Sequence, residues 1–378
     1  MRVLFFNEGN LGAHVMGQGQ LAQALSTGLP YAPDMQARFA GLTPMGRVER
    51  AIATRPIEPL AHYDFALRTL RWHAVQSLRA RAAIAGELRL WPADVVHVHS
   101  QSIAFALSEH SARAPVALSL DTTVADWRSM PAWSSSEQAA VALAPSRALE
   151  RRALQRCSLA LAWTGWTRRS AEQAAPRAHV VEHHPGLDLE RYRPAARRPR
   201  ERLKVLFVGG RFAEKGGEDL LAVLADRLGQ TVELDLVTPA EVEPRPGVNV
   251  HRLGPSDPQL LDLQQQADLF CLPTYGDAVP WAVLEAMACG TPVLATRVGG
   301  IPDLLDDGDA GSLVDHGDRR GLRAALEQLL DDPQRRADLA GLARERCEQR
   351  YDARRQVPRL AELLRELNGD GLTPPRRA

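Results

Sequence analysis

The apolar positions fall into short runs separated by longer amphipathic stretches. Val3-Leu4-Phe5-Phe6 is followed by Gly9, Gly12, Gly17 and Gly19, and Lys204-Val205-Leu206-Phe207-Val208 runs into Gly209-Gly210. A short apolar run ending in glycines and followed by helical periodicity reads as the first strand of an α/β domain. The two runs lie about 200 residues apart, so each is expected to open its own domain. Downstream of the first, the pattern predicts strands at 94–99, 116–120, 158–163 and 179–182, with helices near 61–89, 101–112, 136–156 and 165–175. Downstream of the second it predicts strands near 231–237, 248–253, 268–273, 292–296 and 312–314. Helices are expected near 216–228, 258–266, 280–289, 318–331 and 334–349. Strand alternating with helix implies parallel sheets covered on both faces. The expected fold class is α/β, with two Rossmann-like domains facing across a cleft. The Pro- and Arg-rich stretch 191–200 reads as a linker between residues 1–190 and 201–352.

A length of 378 residues suits two domains, and 45% hydrophobic with 24% charged residues is an ordinary globular mixture. Disorder and membrane-spanning classes are therefore not expected. The apolar run at the N-terminus is too short for a signal peptide, which needs about 7–15 apolar residues, so a cytoplasmic location is expected. Cys157, Cys271, Cys289 and Cys347 form no C-x-x-C pair and read as small buried hydrophobes. The formal net charge of zero hides an asymmetry: residues 1–200 carry 24 basic and 16 acidic side chains, the remainder 22 and 30. Halves of opposite charge suit facing domains, and the basic half suits an anionic partner. Only two of the 46 basic residues are lysines, Lys204 and Lys215.

Lys215 lies in the segment Val208-Gly209-Gly210-Arg211-Phe212-Ala213-Glu214-Lys215-Gly216. Glycines at a strand end let a ligand approach the backbone closely, and Arg211 and Lys215 place two cations at the following helix start. With the positive end of that helix they suit a diphosphate. A surface turn with solvated charges is the plainer alternative. A second segment runs from Pro273 to Val293. Asp277 is expected before a helix that has Pro280 in its first turn and Gly290 at its C-cap, with Glu285 inside. Asp277 and Glu285 are eight residues apart, up to ~12 Å along a helix, too far to share a proton but suited to two ends of one extended ligand. Glu285 sits among apolar neighbours and needs a partner, from ligand hydroxyls or from backbone amides.

On these residues the C-terminal half, from about 200 to 350, resembles retaining glycosyltransferases of family 4, which have the GT-B architecture. The resemblance rests on Gly209-Gly210-Arg211 with Lys215-Gly216, the Asp277–Glu285 spacing, and Glu285-Ala286-Met287-Ala288-Cys289-Gly290-Thr291-Pro292-Val293. Val298-Gly299-Gly300-Ile301-Pro302-Asp303 and Gly311-Ser312-Leu313-Val314 follow in order. The N-terminal half matches more loosely, through Asp94–His99 and Pro185-Gly186-Leu187-Asp188. The resemblance implies transfer of a sugar from a nucleotide diphosphate sugar to an acceptor hydroxyl, with retained configuration and without a metal or cofactor. Arg211 and Lys215 would bind the donor diphosphate and Glu285 its ribose. Asp277 with the amides of Ala278, Val279 and Pro280 would meet the sugar. A last helix near 353–367 would return to the first domain. Three places depart from the family pattern: Asp277 stands where Glu is usual, the strand near 237 ends Val237-Thr238-Pro239 where glycines are usual, and Asp121 stands where many members carry His. On the acceptor side, Gly9, Asn10 and Gly12 in the loop after the first strand, with Asp121, are the candidates for a carbohydrate or glycolipid acceptor. A sugar phosphorylase or epimerase on the same fold, and a nucleotide-sugar-binding protein without transferase activity, are the other readings.

Three further signals read as structural. Asp307-Gly308-Asp309 has the form of a D-x-D metal site but falls at a turn. His97 and His99 share one strand face, without the carboxylate or thiol that would complete a metal site. Arg68, Arg71, Arg79, Arg81 and Arg89 alternate with Leu67, Leu70, Trp72, Val75 and Leu78. Such a helix either packs on the sheet with a solvated face or gives the basic domain a peripheral association with the inner face of an anionic membrane. No nucleic-acid partner is expected.

Overall fold

The computed structural model describes residues 1–8, 24–55, 57, 64–108, 112–130, 143–255 and 257–369. The chain divides into two compact units. One runs to Gly186 and takes in the chain again from Ala353; the body of the other is Leu187–Asp352.

The first unit holds β1 (Arg2–Asn7), β2 (Gln36–Gly41), β3 (Val95–His99), β4 (Val116–Leu120), β5 (Leu159–Ala162) and β6 (Val180–Glu182). They form a six-stranded parallel sheet in the order β2-β1-β3-β4-β5-β6. Helices α1 (Arg47–Thr54), α2 (Asp64–Leu90), α3 (Ala144–Arg156) and α4 (Gly165–Ala174) accompany it. The second unit holds β7 (Leu203–Val208), β8 (Val232–Val237), β9 (Val248–His251), β10 (Leu269–Leu272), β11 (Val293–Thr296) and β12 (Ser312–Val314). These form another six-stranded parallel sheet, in the order β12-β11-β10-β7-β8-β9. Its helices are α5 (Gly217–Leu224), α6 (Pro258–Gln266), α7 (Trp281–Ala288), α8 (Ile301–Leu304), α9 (Arg319–Asp331) and α10 (Pro333–Arg350). The last helix, α11 (Ala353–Leu367), belongs to the first unit.

Parallel strands covered on both faces read as unbroken apolar runs, and the central strands obey this. Val3 to Phe6, Val205 to Phe207 and Leu269 to Leu272 are all buried. The helices start where short polar side chains take up the free amides of a first turn. Thr164 accepts from Thr167 N, Asp257 from Gln259 N, Asp318 from Gly321 N and Asp332 from Arg335 N. α2 sends Ala80 and Ile84 into the core of the first sheet, so this helix packs on the sheet.

Three sequence expectations change. The helix foreseen over 101–112 begins as a single 3-10 turn, Gln101–Ile103. Its amides leave the helical ladder: Leu107 N donates to Ala104 O, and Phe105 N donates to Ser77 Oγ of α2. β2 and α1 were not foreseen, because β2 is a half-exposed edge strand and α1 buries only Ala53. The Pro- and Arg-rich stretch 191–200 is anchored to the second unit rather than free. Tyr192 donates to Glu285, Arg197 to the Gly290 carbonyl, and Arg198 to Asp262; the carbonyls of Arg193 and Ala196 accept from Gln265 and Gln266. The boundary between the units therefore falls at Gly186, before residue 190.

Candidate functional site

In an open parallel sheet, ligands collect at the carboxyl ends of the strands where the strand order reverses. The second sheet reverses between β7 and β10, since β8 and β9 lie on one side of β7 and β10 to β12 on the other. The loops leaving β7 and β10 carry Gly209–Gly216 and Pro273–Pro280, the two segments singled out from the sequence.

Close packing shapes these loops. Gly216 has φ +76°, and a Cβ there would sit 2.0 Å from the Pro273 carbonyl oxygen. At Gly209 a Cβ would come within 2.9 Å of Lys215 Cβ, whereas Gly210 faces open space. Glycine is therefore required where the β7 loop turns under the β10 loop, and Gly210 leaves the strand end open to a ligand. The loops are also bonded together: Tyr275 N donates to Glu214 O at 2.9 Å. A third loop joins from β11, where Gly299, at φ +58°, lies against Asp277 O and Gly300 N donates to Ala278 O at 2.8 Å.

At this junction Lys215 Nζ donates to the Asp277 carboxylate and to the Gly276 carbonyl, the latter at 2.9 Å. The Lys215 and Asp277 side chains are only 21% and 18% exposed, so the pair is shielded but reachable. Arg211 is more open and pairs with Glu214 at 2.7 Å. Among the described residues, the backbone amides of Gly210, Arg211, Ala278 and Val279 have no hydrogen-bond acceptor. Free amides beside a cation are what an anion binds. Pro280 has no amide hydrogen, so it supplies none; it serves as the N-cap of α7, one position before the first turn where the sequence put it.

A second layer holds the β10 loop from behind. Tyr275 Oη donates to Asp219 Oδ2 at 2.5 Å, and Arg319 Nε donates to Asp219 Oδ1 at 2.6 Å. The hydrogen bond to Asp219 raises the Tyr275 pKa. Asp219 lies in the first turn of α5 and Arg319 opens α9, so residues 100 apart fix the tyrosine two positions before Asp277. Sequence reasoning missed all three. The acid at a helix start, Asp219, was their one visible trace.

Glu285 has a different setting. It is 4% exposed on α7, and its carboxylate accepts from Tyr192 Oη at 3.2 Å and Gln264 Nε2 at 3.3 Å. Burial pushes its pKa up to about 7, against the lowering effect of the tyrosine and amide bonds. Tyr192 and Gln264 are thus partners of the carboxylate, and a ribose would have to share it with them.

The first sheet reverses between β1 and β3. Glu8 follows β1 and is buried, accepting from Trp72 Nε1 at 3.2 Å and from Ser102 Oγ, after β3, at 2.9 Å. Ser102 Oγ also lies 2.8 Å from Ser100 Oγ. Gly9, Asn10 and Gly12, expected on the acceptor side, lie outside the described residues. Asp121 follows β4, and its carbonyl accepts from Thr167 Oγ1 at 2.7 Å. His97 and His99 are buried, His99 stacked on Trp163 with centroids 4.6 Å apart; burial pulls the His97 pKa down to about 3. Asp307 sits at φ 54° in the 3-10 turn Asp306–Gly308, and Asp306 pairs with Arg346 at 2.7 Å. Among the described residues, no group of three His, Cys, Asp or Glu is placed to hold a metal ion.

The chain is similar to known proteins. Residues 202–332 match the family described as glycosyl transferases group 1. The second unit carries a glycosyltransferase domain. D-inositol 3-phosphate glycosyltransferase from Thermobispora bispora is 34% identical over 222 residues, 51% of this chain and 51% of that protein. The enzyme of the same name from an Arthrobacter species is 31% identical over 215 residues, 47% of this chain and 51% of that one. The chain spans about half the length of these relatives. Among solved structures, sucrose-phosphate synthase from Thermosynechococcus elongatus superposes with a TM-score of 0.71 at 17% identity, covering 97% of this chain and 98% of that one. Anabaena Alr3699/HepE in complex with UDP-glucose superposes at 0.66 with 20% identity, covering 97% and 100%. These likenesses show the fold, which is the GT-B fold expected from the sequence.

Proposed function

We propose that the chain transfers a sugar from a nucleoside diphosphate sugar to an acceptor hydroxyl, retaining the anomeric configuration and using no metal ion. The observation that carries this reading is the cation Lys215 beside four unpaired amides at the switch point of the glycosyltransferase domain. The barrier to sugar transfer is departure of the diphosphate. Lys215, Arg211 and the free amides are preorganised to meet the charge that develops on it, and so supply what a divalent ion would. Asp277, bonded to Lys215, stands where the sugar joins the diphosphate. When a donor arrives, its phosphate takes over the lysine, leaving the carboxylate to accept from sugar hydroxyls. The names of the relatives support glycosyl transfer, and the UDP-glucose held by a structural neighbour supports a nucleoside diphosphate sugar as donor. The acceptor is a carbohydrate or glycolipid at the Glu8 end of the first sheet.

A thermal-shift screen of nucleotide sugars identifies the donor, since a ligand at 100 times its Kd adds about 2.7 kcal/mol of stability. Proton NMR of the product then reads the anomer, and turnover should survive a chelator. Inversion or chelator-sensitive turnover refutes the corresponding part of the reading, and stabilisation by no nucleotide sugar refutes all of it. Asp277→Asn removes the negative charge that competes for Lys215. Calorimetry should then show nucleoside diphosphate binding tightened by ~1 kcal/mol, while turnover falls. Weaker binding would place Asp277 on the diphosphate.

A further inference from the structure

Among the described residues nine large hydrophobic side chains are exposed, and seven lie in the first 90 residues. Three of these share one surface. Val48 and Ile52, 73% and 57% exposed, stand one turn apart on α1, and Leu78 on α2 is 61% exposed. α1 is tied to α2 by arginine side chains. Arg71 of α2 donates to the carbonyls of Ile52 at 3.0 Å and Arg55 at 2.8 Å, at one end of α1. Arg79 donates to Thr43 O at 2.9 Å and pairs with Glu49 at 3.2 Å, at the other. Leu78 adjoins Arg79 and lies two turns from Arg71, so it sits on the side of α2 that carries α1. The small helix therefore keeps its aliphatic side chains outward and buries only Ala53.

Among the described residues, the unmatched charges around this surface have one sign. Glu49 is taken by Arg79, and Glu87 by Arg38 at 2.8 Å. Arg47, Arg50, Arg81 and Arg89 are exposed, and among the described residues their side chains have no acceptor. Aliphatic side chains amid unmatched arginines complement an anionic lipid surface, where apolar groups enter the headgroup boundary and guanidinium groups meet phosphates. A second copy of the chain would bring the same unmatched arginines into one interface.

We propose that the α1–α2 face docks on an anionic membrane surface, with Val48, Ile52 and Leu78 entering the headgroup region and Arg47, Arg50, Arg81 and Arg89 binding lipid phosphates. This inference does not depend on the sugar-transfer reading. Flotation of the full chain with phosphatidylglycerol or phosphatidylcholine vesicles tests it. Binding to phosphatidylglycerol should exceed that to phosphatidylcholine by about tenfold or more and fall in ~0.5 M salt. The double variant Val48→Asp/Ile52→Asp should drop to the phosphatidylcholine level while keeping the wild-type melting temperature, since both side chains are exposed. Leu342→Asp, at an exposed leucine of the second unit, should bind as the wild type does. The proposal fails if the wild type shows no preference for phosphatidylglycerol or if the double variant floats as well as the wild type. It also fails if light scattering shows a dimer that the double variant dissolves and vesicles never bind, since the face would then be a self-contact.

Discussion

The two sheets have the same strand count and each reverses its order once, yet their switch points carry opposite chemistry. After β7 and β10 stand a lysine, an arginine and free amides, with one carboxylate held to the lysine. After β1 and β3 stand a buried carboxylate and two serine hydroxyls, with the indole of Trp72 as a further donor. The first set suits a phosphate; the second suits neutral hydroxyls, which both donate and accept. One architecture can therefore carry unlike chemistry at the same kind of seat, and the loop residues set the difference.

The sharpest way to break this comparison is at its cationic end. Lys215→Ala should cut turnover by about 10²–10³, the usual cost of removing one donor to a developing anion. Steady-state kinetics at wild-type rate in that variant would take Lys215 out of the site.

In stability, by comparison, the buried acids of the two units behave alike. Burial pushes Glu150 of α3 up to about 8 and Glu285 of α7 up to about 7. A carboxyl held above its usual value binds its proton longer in the folded state. The wild type therefore loses stability as pH rises from the unfolded value near 4.5 to the folded value, and the loss levels off above it. Glu285→Gln should remove a loss on the order of 3 kcal/mol between pH 4.5 and 7. Glu150→Gln should do the same up to pH 8. Melting curves across that range check both, and parallel pH profiles for variant and wild type would show that the carboxylate is not the cause.

A smaller effect is expected behind the β10 loop. Tyr275→Phe deletes the donor to Asp219 and should lower turnover by about tenfold, ~1.4 kcal/mol, with nucleoside diphosphate affinity unchanged. A loss of affinity without a loss of turnover would mean that the tyrosine serves the binding of the nucleotide instead. The smallest effect should come from the neutral end. Glu8→Gln keeps the shape but loses the charge-assisted bonds, and should raise the acceptor KM a few-fold while the donor KM stays put. A change in the donor KM alone would merge the two ends into one.

The strands were legible because strands buried on both faces are unbroken apolar runs, and the cationic loop was legible because glycine, arginine and a rare lysine lie within one short segment. β2 and α1 were not, since an edge strand and a helix burying one alanine leave little hydrophobic signal. The helix expected from residue 101 was lost to a hydroxyl from α2 that takes the Phe105 amide. The missed parts of the site have one cause: Lys215 with Asp277, Tyr192 with Glu285, and Arg319 with Asp219 are 62, 93 and 100 residues apart. Periodicity and local motifs carry no information about such partners, which only the completed sheet brings together.

The return of α11 to the first unit sets an order on synthesis. The chain leaves that unit at Gly186 and re-enters at Ala353, and the crossings are adjacent: Leu187 bridges to Asp352, and a Cβ on Gly186 would lie 2.8 Å from Ala353 Cα. At ~5–20 residues per second, a ribosome takes roughly 10–30 s to add Leu187–Asp352 before α11 emerges. During that interval the surface where Gly28 meets Val357, and where His183 Nε2 lies 3.0 Å from the Gln356 carbonyl, has nothing to close it. The body of the second unit, Leu187–Asp352, is a continuous insert with neighbouring ends and can fold in that time. The unit whose translation begins first is thus the one completed last.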